Sequence, residues 1–166
     1  MSPIIILVVR SLHILGAMAL VGGIFSREIV RAEARRTLDV RGFAALTDAA
    51  GRLDKLLVIP GGTAVALLGL ILALITGAPL LGLIQGADRN WLLVATLLLL
   101  PGFVLVPRVF LPQRRRIEAA LKVALEQGHI TGELRAAAEE PTARLWHIVE
   151  QVIVIAVVVL MSLRPF

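Results

Sequence analysis

An arginine and a histidine stand one helical turn apart inside a segment apolar enough to cross a bilayer. Arg10 and His13 lie in Pro3–Phe25, and in a helix they share a face that Gly16 and Leu20 continue. Ionisable groups at that depth are costly and mark functional sites. A neutral imidazole ligates iron or copper and, titrating near neutrality, can relay a proton. An arginine beside it matches a carboxylate such as a porphyrin propionate. Gly16 leaves room beside the ring. The pattern points to haem b or another porphyrin, with His13 as metal ligand and Arg10 and Gly16 as further cofactor contacts. The alternative is that Arg10 snorkels to the outer headgroups and His13 hydrogen-bonds a neighbouring helix. Spacing alone leaves both open.

A second constellation lies near the end of the chain. His147, Glu150 and Gln151 fall on one face, and Glu150 is the only carboxylate inside an expected span. Such a group faces the interior and requires a partner, Arg10 or Arg108, or a proton. His147 and Glu150 therefore form a second candidate site. His13 sits near the bilayer midplane and His147 within a turn of the inner end, a depth difference of roughly 13 Å. A haem held by both histidines is not expected. Copper is disfavoured because Met18 lies off the His13 face and soft cysteine ligands are missing. His129, in a polar stretch, is expected to be solvated.

Four apolar runs must position these residues: Pro3–Phe25, Leu56–Ala78, Trp91–Leu111 and Leu145–Leu163. Each is close to the ~20 residues a helix needs to span hydrocarbon. The composition agrees, at 58% hydrophobic and a mean hydropathy of +0.89. The expected fold is all-α: one domain over residues 1–166, an up-down four-helix transmembrane bundle with helical cytoplasmic extensions. Ala17-Met18-Ala19 imitates a signal-cleavage site, but no basic region precedes the run, so the first helix is read as retained. Gly62, Ala66, Gly69, Ala73 and Thr76 form a stripe of small residues suited to close helix packing. Pro101 is expected to kink the third span. Gln113–Gln127 reads as an amphipathic helix, with Ile117, Leu121 and Leu125 on one face and Gly128 as its stop.

Charge sets the orientation. Ser26–Lys55 holds seven basic residues and Pro112–Arg144 six, whereas Pro79–Asn90 has only Arg89. The positive-inside rule puts these two long segments in the cytoplasm and both termini outside, in a multi-pass plasma-membrane protein. Five acidic residues in each basic segment argue against nucleic-acid binding, despite the net charge of +5. The sequence contains no cysteine or tyrosine, which excludes disulfides, thiolate nucleophiles and a phenolic relay from its residues. It contains no zinc-protease, phosphate-loop or nucleophile-elbow motif.

Val9-Arg10-Ser11-Leu12-His13-Ile14-Leu15 with Gly22-Gly23 resembles the opening helix of a broad bacterial family of small integral membrane proteins. That group includes HemJ-type protoporphyrinogen oxidases and CopD-type copper-resistance proteins. Trp91-Leu92-Leu93 and the ending Met161-Ser162-Leu163-Arg164-Pro165-Phe166 are similar too, and the resemblance is greatest to an uncharacterised four-helix branch. It implies a haem-associated role for His13 with a basic residue at Arg10. Two positions depart from the HemJ pattern. No lysine follows Trp91, where Leu-Leu-Val-Ala-Thr stands, and His147-Ile148 replace the usual Asn-Glu. The functional expectations are two: a haem- or porphyrin-binding membrane protein with a redox-associated role, or a non-enzymatic accessory or assembly subunit. In the second, the small-residue seams would join it to a second copy or to a membrane-complex partner.

Overall fold

The computed structural model describes residues 2–86 and 90–163. Arg89 and the terminal Arg164-Pro165-Phe166 lie outside the described residues. The fold is all-helical, with four helices long and apolar enough to cross a membrane. Helix α1 (Pro3–Arg36) starts on a proline, whose missing N–H is harmless in a first turn. Its 34 residues reach about 50 Å, well beyond the ~30 Å hydrocarbon core. It stops at Thr37, which turns to extended backbone. Asp39 then caps α2 (Val40–Leu53) by accepting hydrogen bonds from the Arg41 and Gly42 N–H groups. The Ser26–Lys55 segment is thus almost entirely helical, as its apolar interruptions suggest.

Helix α2 runs into α3 (Ile59–Thr76) through one π-helical turn, Asp54–Val58, where the Ile59 N–H bonds back to the Asp54 carbonyl. Pro60 has no N–H to give, which favours a break in the regular ladder here. A left-handed Gly77 (φ 67°) ends α3. The third long helix repeats the device: α4 (Trp91–Leu105), a π-helical turn at Val106–Phe110 containing Pro107, then α5 (Leu111–Gln127). The helix assignment continues through Pro101. The ladder changes later, at the turn holding Pro107. Gly128 (φ 76°) stops α5 where the sequence predicts. Short α6 (Gly132–Ala138) is capped by Thr131, and α7 (Pro141–Leu163) returns through the membrane.

Helix α1 packs along α3, and α4 along α7, giving two hairpins that meet where α2 packs on α5 and over a short stretch of α1 and α7. Most apolar side chains of the spans point outward, among them Leu7, Met18, Leu67, Leu74 and Leu163. Lipid is their solvent. Among the described residues, the cluster of buried apolar side chains lies at the basic end, where Ala34, Val40, Phe43, Ala124 and Leu134 are buried together. Ile117 and Leu121 pack against it, but Leu125 is 44% exposed. The buried α5 stripe runs through Ala124 instead.

Candidate functional site

On α1 the residues His13, Gly16, Leu20, Gly23 and Arg27 recur at a 3-4-3-4 spacing, which keeps them on one face. That face meets α3 at backbone range. A Cβ on Gly61 would lie 2.6 Å from the Leu20 nitrogen and 2.8 Å from the Gly16 oxygen. A Cβ on Gly16 would lie 2.9 Å from the Ala64 Cβ, and one on Gly23 2.8 Å from the Leu57 Cβ. Gly16 therefore does not open space beside the imidazole; its missing side chain is taken up by the approach of α3.

The His13 ring packs over Gly69 instead. A Cβ there would stand 3.0 Å from the His13 Cε1. The His13 Nδ1 is buried without a hydrogen-bond partner, the Val65 backbone being its polar neighbour. Arg10, one turn away, is exposed and forms no ion pair among the described residues. The small-residue stripe splits. Gly69 floors His13 and Ala73 is buried, but Ala66 is exposed and a Cβ on Gly62 would meet only a Leu20 methyl group at 3.7 Å. Gly61 carries the close approach that the even spacing suggests for Gly62.

The second constellation becomes a network of six charged or titratable side chains. Arg27 is 4% exposed and donates from one nitrogen to the Asp54 Oδ1 at 2.7 Å and from another to Glu150. Arg31 donates to Glu28 at 2.9 Å and lies 3.4 Å from Asp54. His147, 7% exposed, has Nε2 at 3.0 Å from the Arg31 guanidinium. Arginine only donates, so in this shorter contact Nε2 is the acceptor; Nδ1 lies 3.4 Å from the same guanidinium nitrogen. That Nδ1 lies 3.5 Å from Glu150 and 3.6 Å from Glu28. The Phe110 ring stacks on the imidazole, with centroids 4.4 Å apart and planes 7° from parallel.

This network corrects the partner expected for Glu150. Neither Arg10 nor Arg108 reaches it; Arg27 does. Both π-helical turns feed the cluster, one supplying Asp54 and the other Phe110. Such turns add a residue and re-aim the side chains around them. Arg27, Glu28, Arg31, Asp54 and Phe110 were not picked out by residue type. A signal was present for Arg27, because the stripe of Gly16, Leu20 and Gly23 reaches it in register. The structure also widens the gap between the two histidines. His147 pairs with Arg31, eighteen positions beyond His13 on α1, which is about 27 Å of helix. His13 and His147 are separate sites.

Chemically, the network is a clamp. It joins α1 to the turn before α3 and to α7, and so ties one hairpin to the other. Buried charges need such mutual satisfaction, because removal from water costs several kcal/mol per ion. One group is left over: the Arg27 Nε–H has no hydrogen-bond acceptor, with Glu28 3.8 Å away.

Four bilayer-length helices and a lipid-facing apolar exterior define a multi-pass integral membrane protein. The chain belongs to the family described as "Predicted integral membrane protein (DUF2269)", which matches it over residues 7–165. Among curated proteins and among solved structures, none matches it.

Proposed function

We propose that the protein is a haem- or porphyrin-associated membrane protein in which His13 ligates the iron and Arg10 pairs with a propionate. The observation that carries this reading is an imidazole with an orphaned buried nitrogen, lodged over a glycine, in the middle of a span. An Nδ1 without a hydrogen-bond partner is available to a metal, and the missing Cβ of Gly69 lets the ring lie against α3. Arg10, exposed one turn away, is free to meet a carboxylate. Bound haem would supply one-electron chemistry at that level of the bilayer. Within this proposal the basic segments face the cytoplasm and both termini lie outside the plasma membrane, the orientation the positive-inside rule favours.

The test is the absorbance spectrum of the full chain, purified in detergent with and without added haem. Wild type should show a Soret band that His13→Ala abolishes and Arg10→Gln weakens. A wild-type preparation with no Soret band after supplementation, or a His13→Ala variant with an unchanged one, would overturn the assignment.

A second reading has its own observation. Gly62 and Ala66 are small residues that the α1–α3 seam leaves largely unused, and Ala66 faces outward. Small residues on an outer helix face let another membrane helix approach. This favours an accessory or assembly subunit that meets a second copy or another membrane protein there. Under that reading Ala66→Leu changes the oligomeric state or co-purifying partners in mild detergent while the Soret region stays as in wild type. An Ala66→Leu variant with unaltered association rules it out.

A further inference from the structure

Beyond the ion network, at the basic end, the helices enclose a cavity of about 620 Å³. Arg31, Asp54, His147 and Phe110 form the side nearest the membrane spans, and Arg35 and Arg144 also line it. The register places these last two. Arg27 meets Glu150 and Arg31 meets His147, so numbers rise on α1 as they fall on α7 and the helices are antiparallel here. Arg35 follows Arg31 by one turn and Arg144 precedes His147 by one turn. Both therefore sit at the same level, about 5 Å further from the spans than the network.

The carboxylates of the cavity already have partners. Asp48 holds Arg52 at 2.8 Å, Glu118 holds Arg114 at 2.7 Å, Glu139 holds Arg135 at 3.6 Å and Glu140 holds Arg116 at 3.7 Å. Asp54 belongs to the network. The guanidinium groups of Arg35 and Arg144, by contrast, form no ion pair and no hydrogen bond among the described residues. Two permanently charged, donor-only forks thus line one cavity with every nearby anion engaged elsewhere. Forks of this kind match phosphate oxygens in paired hydrogen bonds.

We propose that Arg35 and Arg144 form a binding site for a phosphate group, carried either by a soluble compound or by a lipid headgroup of the adjoining leaflet. Phe110, on the same cavity, offers apolar surface to the rest of the ligand. The site is independent of His13, and its test is independent of haem.

The full chain in non-ionic detergent is titrated, at constant ionic strength, with inorganic phosphate in one arm and phosphatidylglycerol in the other, with chloride as control. Thermal unfolding is the readout, because a ligand of the folded state raises the midpoint by an amount that grows with the logarithm of its concentration above the Kd. At least one phosphate probe should give a concentration-dependent rise that chloride does not. Arg35→Gln and Arg144→Gln should each weaken the apparent affinity about tenfold. Arg41→Gln, exposed and away from the cavity, should leave it unchanged. A rise with inorganic phosphate identifies a soluble ligand; a response to phosphatidylglycerol alone identifies the headgroup. If neither probe raises the midpoint above the chloride control, or if the two variants respond as wild type does, the site is refuted. Arg144 is exposed, so Arg144→Gln decides the matter even if Arg35→Gln fails to fold.

Discussion

Along its apolar half, α1 is held to α3 through glycines, with Gly16 and Gly61 so close that neither can carry a Cβ without displacing backbone. Along its basic half the same helix is held through large side chains: Ala34 lies in a core with Phe43 and Leu134, and Arg27 and Arg31 reach across to α7. The contrast follows from the solvent on each side. In lipid, burying a leucine removes nothing from water, so helices gain only by close packing, which small residues permit. At the water-exposed end, apolar burial again drives association and fills a core with Phe and Leu. The ion network lies where the two regimes meet. There, charges can be held away from water only because each carboxylate has a guanidinium within reach.

The sharpest way to break this contrast is to remove the centre of the network. Arg27→Met leaves Asp54 and Glu150 facing each other without their shared cation. Stripping one partner from a buried pair costs about 3–5 kcal/mol. Unfolding of the detergent-solubilised chain should register that loss, whereas Arg108→Met, at an exposed position with no ion pair among the described residues, should change stability by less than about 0.5 kcal/mol. Equal effects would mean that the clamp contributes nothing to the joining of the hairpins. The glycine seam is tested next. Gly61→Ala sets a methyl against the Leu20 nitrogen and the Gly16 oxygen, and backbone cannot rotate away as a side chain can. Overpacking of this kind costs about 1–3 kcal/mol. Gly62→Ala, in ordinary contact with one Leu20 methyl, should be neutral or slightly stabilising. If the two substitutions behave alike, the close approach at Gly61 is not what holds α1 to α3.

These two regions differ equally in how far they can be read from residues alone. Length and hydropathy reveal the four spans, because a bilayer imposes one thickness on every crossing helix. The end of α5 is legible at Gly128, a left-handed position, whereas α3 stops at a left-handed Gly77 inside the expected Leu56–Ala78 run. The even spacing of Gly62, Ala66 and Gly69 indicates a small-residue face but misses its centre at Gly61. The π-helical turn at Asp54–Val58 changes the phase of the helix just before that face, and no residue type announces it. The same turn hides Asp54, which reads as one more charge in a basic segment. Glu150 is conspicuous because it lies inside a span, and its need for a partner is legible too. The identity of that partner depends on α1 continuing past its apolar run to Arg27 without a break. His13 stands out by type and depth. The glycine that faces it lies on another helix, and only the packing of α1 against α3 brings the two together.

The smallest expected effect concerns the seam between the regimes. Phe110 lies in the second π-helical turn, and its ring covers one face of the His147 imidazole at 4.4 Å. Phe110→Leu keeps an apolar side chain beside the cavity while removing the ring, so most of the lost free energy should be the stacking contribution, about 0.5–1.5 kcal/mol. A double-mutant cycle with His147→Ala isolates it, because two side chains in contact are coupled and two merely nearby are not. Coupling within that range shows the ring holding the imidazole against Arg31 and Glu150. If Phe110→Leu costs the same with or without the imidazole, the stack does no positioning, and the second turn serves only to carry the chain past Pro107. The distinction matters for the clamp. An imidazole pinned on one face by Phe110 can offer its edge to Arg31 and the carboxylates in only one orientation, and a free one would have to be ordered by the charges alone.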